Sequence, residues 1–340
     1  MPQSPDTYVF IGRFQPPHLG HFALMREALT RAGRLIVLCG AAGSARRLRN
    51  PWRVAEREAM IRAGLTAEEN ARVQIGSVAD YPDDNDWVAA VRAEVARLAG
   101  DHARIALFGH IKDETSYYLA LFPDWGLVSV PSAGDYNATA IRKAYFRHDA
   151  TAPFRHPWLP EGVATWLQAF RASDDFAWLL AEQDSIQASK ALWKDAPYPV
   201  IFVTTDAAVF HRGHVLLVRR KHHPGKGLWA LPGGFLDADE TLFASCLREL
   251  RKETGWDFQE AADCLVASTV YDKPTRSDRG RTITHAFAFR LPDAQERPQI
   301  SGQDDAETAQ WWPLDQLRRE ECFEDHHAII TAAWEKIAGK

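Results

Sequence analysis

Gly234-Phe-Leu-Asp-Ala-Asp-Glu240 and, seven residues further on, Arg248-Glu-Leu-Arg-Lys-Glu-Thr-Gly-Trp256 decide how the second half of the chain folds. The two segments set three acidic residues and two glycines at fixed offsets. The second segment has the pattern of a helix that ends at a glycine. Glu249 and Glu253 are four residues apart on this helix and therefore share one face. Two carboxylates in that position can bind Mg²⁺ or Mn²⁺ together with pyrophosphate oxygens.

A different motif, Gly12-Arg-Phe-Gln-Pro-Pro-His-Leu-Gly-His21, opens the same chain. His18 and His21 lie three residues apart at the start of a predicted helix, so both side chains project from one face. The helix N-terminus adds unpaired amides and a partial positive charge, which favour a phosphate. Gly20 has no Cβ and lets a nucleotide approach the backbone. A phosphate site is predicted here, and the simpler alternative is that the two histidines only cap the helix.

The composition is that of an ordinary globular protein, with 46% hydrophobic and 25% charged residues over 340 residues, a length typical of two domains. The net charge of −5 argues against an extended nucleic-acid surface, which normally carries a basic excess. The four cysteines lie far apart without the CxxC spacing of zinc sites, and they are expected to be reduced. No segment has the pattern of a signal peptide or membrane span, so a cytoplasmic location is expected.

The pattern of predicted elements divides the chain in two. Strand-like and helix-like segments alternate in the first part, which indicates a parallel, doubly wound α/β sheet of Rossmann-like type. From Val200 onward the pattern changes to β-branched alternation. Repeated prolines and the segment Asp195-Ala-Pro-Tyr-Pro199 separate the two patterns. We therefore expect a first domain over 1–172, a helical linker over 173–196 and a second domain over 197–340.

The opening motif resembles the nucleotidyltransferase superfamily, and specifically the archaeal-type nicotinamide mononucleotide (NMN) adenylyltransferases. Three further segments agree in the same order: Asn50-Pro51-Trp52, Gly109-His-Ile-Lys-Asp-Glu-Thr-Ser-Tyr-Tyr118 and Asn137-Ala-Thr-Ala-Ile-Arg142. The resemblance implies a nucleotidyltransferase domain that transfers an adenylyl group from ATP to a phosphate monoester, with pyrophosphate leaving. The residues that it implies for ATP and NMN binding are Gly12, Arg13, Phe14, His18, His21, Arg47, Trp87, Gly109, Lys112, Asp113, Asn137, Thr139 and Arg142.

Four of these residues are implied to be catalytic, namely His18, His21, Arg47 and Arg142. The Thr139 hydroxyl and the Arg142 guanidinium would hold the ATP phosphates from the start of a late helix. Position 138 is alanine where the family often has serine, so one hydroxyl contact is absent.

Two of the implied roles have simpler alternatives. Arg46 and Arg49 flank Arg47 in a basic loop, and such a loop is also compatible with a solvated charged surface. Trp87 would stack on the nicotinamide ring, whereas a single Trp before a helix more often packs against the core.

The second motif resembles the Nudix box, which implies an α+β domain with a mixed sheet between helices. It implies that the cofactor, Mg²⁺ (or Mn²⁺), is held by Gly233, Glu249 and Glu253, the two glutamates being catalytic. Glu240 and Arg248 would pair and brace the loop against the helix. Lys252 stands where the family pattern has a glutamate, and a lysine beside the metal disfavours a second or third cation. Hydrolysis is still expected, weakened or with a preference for Mn²⁺.

Two later segments look like those of Nudix hydrolases that act on ADP-ribose. The first spans residues 271–281, and the resemblance implies phosphate binding by Arg276, Arg279 and Arg281. The second spans residues 304–313, where Asp304, Asp305 or Glu307 would supply a base or a further ligand. The alternative is that both segments are mobile, solvated loops.

The order of both motifs resembles the bacterial bifunctional NMN adenylyltransferase/Nudix hydrolase family across nearly the whole chain. The resemblance implies NAD synthesis from NMN and ATP, and hydrolysis of ADP-ribose or a related nucleoside diphosphate to AMP and ribose 5-phosphate. The implied partners are the small molecules ATP, NMN, NAD and ADP-ribose, without nucleic acid or membrane, and a homo-oligomer is left open. Two alternatives also stay open: nicotinate mononucleotide or another acceptor, and a C-terminal domain that only binds NAD metabolites as a sensor.

Overall fold

The computed structural model describes residues 5–81, 83–100, 103–109, 119–131, 134–147 and 153–339. The chain divides into two compact units, one up to Leu179 and one from Leu180 onward. The division falls within the helix Asp174–Ala191, so most of the segment predicted as a helical linker is a helix. The domain limits 1–172 and 197–340 stay predictions. Among the described residues, no helix is both long and apolar enough to cross a membrane.

The first unit contains a five-stranded parallel sheet. Its strands are β1 (Thr7–Gly12), β2 (Arg34–Cys39), β3 (Val73–Ser77), β4 (Ile105–Gly109) and β5 (Gly126–Ser129). They are ordered β3-β2-β1-β4-β5, so the chain leaves β1 on one side and later returns to its other side. The carboxyl ends of β1 and β4 form the point where the strand order reverses. Ligands of doubly wound sheets bind at such a point.

Helices alternate with these strands and then follow them along the chain, as the predicted βα alternation indicates. They are α1 (Leu19–Arg31), α2 (Val54–Gly64), α3 (Ala67–Arg72), α4 (Asp84–Ala99), α5 (Ala138–Arg147), α6 (Glu161–Phe170) and α7 (Asp174–Ala191). The central strands are buried along almost their whole length, which is typical of a sheet covered on both faces. Ile36 and Leu107 pack with Val91 and Val95 of α4 in one core cluster.

The second unit has a mixed sheet between two helices, as the motif resemblance implied. Its strands are β6 (Ile201–His211), β7 (His214–Arg220), β8 (Trp229–Ala230), β9 (Gly233–Phe235), β10 (Leu265–Tyr271), β11 (Arg281–Arg290) and β12 (Ala306–Pro313). Its helices are α8 (Leu242–Thr254), α9 (Ala261–Cys264) and α10 (His326–Ala338). β6 pairs with β11 in parallel, whereas its pairings with β7 and β9 are antiparallel. Side chains alternate along β6, so Val209 packs towards α8 and Phe210 packs towards α10.

The structure differs from the sequence predictions at a few elements. Residues 306–313 form the strand β12 rather than a mobile loop, and this strand pairs with β7. β6 begins in the predicted β-branched segment and continues through the apolar run Ala207–Phe210 to His211. The helix predicted around 115–121 lies mostly outside the described residues.

Candidate active sites

The loop from β1 to α1 presents the two histidines of the opening motif. His18 is the N-cap of α1, and its backbone N–H donates to His21 Nδ1 at 3.1 Å. The two rings stack with their centroids 3.7 Å apart. Because Nδ1 of His21 accepts this hydrogen bond, the neutral ring carries its hydrogen on Nε2. The helix start therefore adds an imidazole N–H donor to the partial positive charge of the helix N-terminus.

Burial lowers the pKa of His21 well below its ordinary value, and the neighbouring charge of His18 lowers it further. His21 is consequently neutral at physiological pH. A neutral imidazole can donate one hydrogen bond to a phosphate oxygen without giving up a proton. The pair thus combines hydrogen-bond donation with the helix N-terminus, which is the environment that an anionic phosphate requires.

Two glycines of the opening motif make room for neighbouring aromatic rings. A Cβ at Gly12 would lie 2.8 Å from Phe14 Cζ, and a Cβ at Gly20 would lie 2.7 Å from Tyr136 Cδ2. Phe14 is buried, with a positive φ of 51°, and its ring meets His21 edge-on at 4.9 Å. Tyr136 stacks on His18 at 5.7 Å. The sequence analysis missed Tyr136, whose position just before the Asn137 segment is its only signal.

The start of α5 lies against the β1–α1 loop, although the two are more than 100 residues apart in the chain. Arg142 Nη1 donates to the Gln15 carbonyl at 2.5 Å, and Nη2 donates to Thr139 Oγ1 at 3.0 Å. Asn137 caps the helix, because its Oδ1 accepts from the Thr139 amide at 2.8 Å. The structure thus brings Thr139 and Arg142 next to the histidine motif, as their implied role requires.

The arginines of the basic loop after β2 lie in different environments. Arg46 is buried and binds Glu56 at 2.5 and 2.7 Å, and its Nη2 also lies 2.7 Å from Asp175 Oδ2. This guanidinium is committed to two carboxylates and therefore holds the loop on α2. Arg47 forms a β-bridge with Asn50 through its backbone and has a partly exposed side chain. The role of Arg47 as a phosphate clamp stays a prediction.

The remaining implied residues of this site have varied positions. Gly109 ends β4 beside β1, at the reversal of strand order. Arg13 follows β1, and its guanidinium lies 3.6 Å from Asp80. The Trp87 ring packs on Phe122 at 5.9 Å as part of the core, which favours the packing interpretation. Lys112 and Asp113 lie outside the described residues.

In the second unit, α8 places Glu249 and Glu253 beside the glycine turn. Both carboxylates are buried, at 6% and 7% exposure. Glu253 Oε2 accepts from the Gly233 amide at 3.0 Å. A Cβ at Gly234 would lie 2.6 Å from Glu249 Cδ, so a side chain at this position would displace the Glu249 carboxylate. Burial raises the pKa of Glu253 to about 8, and a cation beside this carboxylate would favour its ionised form.

The predicted brace between Glu240 and Arg248 is present. Arg248 Nε and Nη2 bind the Glu240 carboxylate at 2.9 and 2.7 Å, and Nη2 also donates to the Phe235 carbonyl at 3.0 Å. The hydrogen bond from Arg248 lowers the pKa of Glu240 to about 2. Arg248 contacts Glu249 as well. The brace therefore fixes the glycine turn and the first carboxylate of α8 relative to each other.

Three arginines and Glu253 line one cleft in this unit. Arg276 is buried and forms a bidentate pair with Asp325 at 2.8 and 2.9 Å. The Arg279 guanidinium lies over the Phe235 ring at 5.3 Å, and Arg220 lies over Phe323 at 4.3 Å. Positive groups thus line the cleft beside the Glu253 carboxylate, an arrangement suited to a metal-bound diphosphate.

Arg281 differs from the other two arginines of its segment. It does not line the cleft, and its guanidinium donates to the Asp272 carbonyl. The sequence analysis instead missed Arg220 and the buried Asp206, whose Oδ2 accepts from Thr284 Oγ1 at 2.5 Å. A detectable signal for Asp206 was a single acid followed by the apolar run Ala207–Phe210.

Comparison with known proteins agrees with both sites. A cytidylyltransferase-like family model matches residues 9–78, and a NUDIX domain model matches residues 201–333. The structure of a bifunctional NMN adenylyltransferase/ADP ribose pyrophosphatase from Francisella tularensis, complexed with AMP and a Mn ion, superimposes with a TM-score of 0.90. It is 33% identical, and the match covers 98% of this chain and 99% of that chain. The chain belongs to this bifunctional family.

Two curated relatives match one half of the chain each. A nicotinamide/nicotinic acid mononucleotide adenylyltransferase of Acinetobacter baylyi is 36% identical over 170 residues, which are 50% of this chain and 88% of the relative. An ADPR-responsive transcriptional repressor of the same organism is 31% identical over 162 residues, which are 46% of this chain and 62% of the repressor. The bifunctional enzyme of Francisella tularensis matches both units.

Lys252 is where this chain departs from the family pattern. Its Nζ lies 3.0 Å from Asp304 Oδ2 and 3.8 Å from Glu249 Oε2, with the side chain about half exposed. Asp304 holds the pKa of Lys252 above its ordinary value, so the ammonium is charged. The lysine therefore lies between two acidic side chains, one of them an implied metal ligand.

The donor set at α8 fits a divalent cation. No group of three or more His, Cys, Asp or Glu side chains converges among the described residues. Glu249, Glu253 and the backbone at Gly233 provide hard oxygen donors, and ions such as Mg²⁺ complete their coordination with substrate phosphates and water. A divalent metal would there lower the pKa of a bound water and neutralise the diphosphate.

Proposed function

We propose that this chain carries out both reactions of its family, adenylyl transfer from ATP to NMN in the first unit and hydrolysis of ADP-ribose in the second. The observation that carries the proposal is that each unit assembles its own phosphate site from segments distant in sequence. The first joins the histidine pair to Thr139 and Arg142. The second joins Glu249 and Glu253 to the glycine turn and to an arginine-lined cleft.

In the first unit, the neutral His21 ring and the N-terminus of α1 would donate hydrogen bonds to the ATP phosphates. Arg142 and Arg47 would neutralise the charge that develops as pyrophosphate leaves. His18 orients His21 through its backbone amide and the ring stack. We infer NMN as the acceptor from the family, and nicotinate mononucleotide stays the second candidate because the Acinetobacter relative carries both names.

In the second unit, Arg276 and Arg279 would hold the diphosphate, while Glu249 and Glu253 hold Mg²⁺ or Mn²⁺. The Mn ion of the Francisella structure supports this metal class. The products would be AMP and ribose 5-phosphate. We also propose small molecules, rather than nucleic acid or a membrane, as the partners. A cytoplasmic location is proposed because all four cysteines are free thiols.

Paired variants test the two assignments. Glu253→Gln is expected to reduce release of AMP from ADP-ribose by at least about 100-fold, because it removes a metal ligand. Glu335→Gln, on the exposed face of α10, is the matched control. His21→Ala is expected to reduce NAD formation by about 100- to 1,000-fold, the usual loss for one transition-state donor.

Glu253→Gln should leave NAD formation intact, and His21→Ala should leave ADP-ribose hydrolysis intact, because each substitution lies in the unit that does not carry out that reaction. Wild-type protein that forms NAD and binds ADP-ribose without cleaving it would contradict the hydrolase assignment. That result would instead support the alternative that the second unit only binds NAD metabolites as a sensor. The similarity to the ADPR-responsive repressor of Acinetobacter baylyi is the observation that favours this alternative.

A further inference from the structure

A buried histidine, His326, begins α10 and lines the same cleft of the second unit as Glu253. Its side chain is only 6% exposed. Nδ1 accepts a hydrogen bond from the Leu231 amide at 3.0 Å, close to the glycine turn. The ring is therefore held in one orientation at the wall of the cleft.

The contact with Leu231 also fixes the tautomer of the His326 ring. A backbone amide only donates, so Nδ1 carries no hydrogen, and Nε2 carries one in the neutral ring. Burial lowers the pKa of His326 to about 3, with a smaller contribution from nearby arginines and an opposing one from Asp325. The ring is consequently neutral at physiological pH, and Nε2 is a hydrogen-bond donor.

The Nε2–H group of His326 has no acceptor within the described part of the chain. No described residue accepts a hydrogen bond from it, although carboxylates line the same cleft. Nε2 is not sealed in the interior either, so it is accessible from the cleft. Because buried polar groups normally find a partner, a donor in this position suits an acceptor on a ligand.

The neighbours of His326 indicate which kind of acceptor fits. The ring of Phe323 meets the His326 ring at 5.6 Å, and the guanidinium groups of Arg220 and Arg279 lie over the same phenylalanine at 4.3 and 5.8 Å. One neutral N–H and two cations thus surround one aromatic ring, and all three side chains offer donors to a ligand. The oxygens of a diphosphate are acceptors and carry negative charge, so they match this group.

We propose that His326 binds the diphosphate of the substrate, with Nε2–H donating to a phosphate oxygen while Arg220 and Arg279 supply positive charge. The proposal rests on the proposed action of this unit on ADP-ribose. A further cation at this position would repel a divalent metal held by Glu249 and Glu253. A neutral N–H adds a directed hydrogen bond without that cost.

Two substitutions in the full chain separate the roles of the two ring nitrogens. In His326→Asn the amide oxygen can replace Nδ1 and accept from Leu231, but nothing replaces Nε2–H. KM for ADP-ribose should then rise about 10- to 100-fold, the loss expected for one hydrogen bond to a charged group, with kcat changed less than about threefold. In His326→Gln the amide NH₂ can reach the place of Nε2, so KM should stay within about threefold of the wild type. This variant should unfold at a lower temperature, because the Leu231 amide loses its acceptor.

His327→Asn and His327→Gln are the matched controls, because His327 is the next residue of α10 and does not line the cleft. Both should keep the wild-type KM. If His326 only held Leu231 in place, the order would be reversed, with His326→Gln impaired and His326→Asn close to the wild type; that order would overturn the proposal. If His326→Gln does not fold, the comparison of His326→Asn with His327→Asn decides.

Calorimetric titration with ADP-ribose in the absence of metal tests the contact independently of hydrolysis. Kd should be about 10- to 100-fold higher in His326→Asn than in His327→Asn, and any binding to the first unit is common to both variants. Binding without hydrolysis would refute the hydrolase assignment, while the ratio of the two Kd values would still decide the role of His326. Equal Kd values, or no binding by the wild type, would overturn the proposal.

Adenosine, which has no phosphate, locates the contact on the ligand. It should bind equally to His326→Asn and His327→Asn. A loss for adenosine as large as that for ADP-ribose would place the contact on the nucleoside and refute the assignment to the diphosphate.

Discussion

Replacing Lys252 is expected to change how many divalent ions the second unit binds, and how tightly. Its ammonium competes with a metal for Glu249, since Nζ lies 3.8 Å from Glu249 Oε2. At an effective dielectric constant of about 20, two unit charges at this distance interact by about 4 kcal/mol. Lys252 is 46% exposed, so we take the range for exposed ion pairs, about 0.2–1 kcal/mol. Lys252→Gln should therefore tighten Mn²⁺ binding by up to about fivefold.

Lys252→Glu should have a larger effect, because it replaces the competing cation by another carboxylate. It also releases Asp304, which now lies 3.0 Å from the ammonium. Three carboxylates would then face the same region of α8, so a further Mn²⁺ ion is expected to bind.

The affinity for Mn²⁺ and the number of ions bound can both be measured by titrating the full chain without nucleotide and following free Mn²⁺ by electron paramagnetic resonance. Lys336→Gln is the control, because Lys336 is exposed on α10 and binds Thr269. Glu253→Gln should weaken binding in the same titration. Unchanged affinity in Lys252→Gln together with unchanged stoichiometry in Lys252→Glu would refute the reasoning, and would leave Lys252 as an anchor for Asp304 alone.

Three further outcomes are expected. Burial lowers the pKa of His326 to about 3, against a value near 6.5 in the unfolded chain. The unfolded chain therefore binds the extra proton, and the free energy of unfolding falls as pH drops below about 6.5. His326→Asn should remove up to about 1.4 kcal/mol per pH unit of this fall, as measured by chemical denaturation. Gly162→Ala places a Cβ 2.0 Å from a backbone carbonyl of α2 and should cost about 1–3 kcal/mol in thermal unfolding, whereas Gly33→Ala, with open space at that position, should be neutral. Arg46→Ala should lower the thermal stability because it removes the buried guanidinium that Glu56 and Asp175 share, while Arg47→Ala should raise KM for ATP with a smaller change in Tm; the reverse result would exchange their roles.

Much of the fold could be predicted from local sequence patterns. Strand-like and helix-like segments alternate in the first unit, and β-branched alternation marks the strands of the second. The five strands of the first sheet are short runs rich in apolar residues, and the alternation of strand-like and helix-like segments predicted their parallel arrangement. The strand β12 was harder to predict, since Asp304 and Asp305 precede it and Glu307 is its second residue. Its pairing with β7 supplies the stabilisation that its own sequence does not reveal.

The candidate site was predictable where a motif keeps its residues close in sequence, and less so elsewhere. Arg220 is the last residue of β7, and a charged residue at the end of a strand is normally expected to face solvent. Only the three-dimensional structure shows that Arg220 lines the cleft. Arg281 was grouped with Arg276 by spacing, but it begins β11 and points to Asp272. Three-dimensional proximity, rather than residue type, decides these cases.

Lys252 shows why a motif departure needs its surroundings to be interpreted. From sequence alone it is a positive charge where the family has a carboxylate, and weakened metal binding is the natural expectation. The structure adds that Asp304, more than 50 residues away, lies closer to the ammonium than Glu249 does. Glu253 keeps its hydrogen bond to Gly233 and lines the cleft without contacting the Lys252–Asp304 pair. Glu253 is therefore still available as a metal ligand in the presence of Lys252. The substitution should therefore reduce the number of ions bound at α8 while preserving the one on which hydrolysis depends.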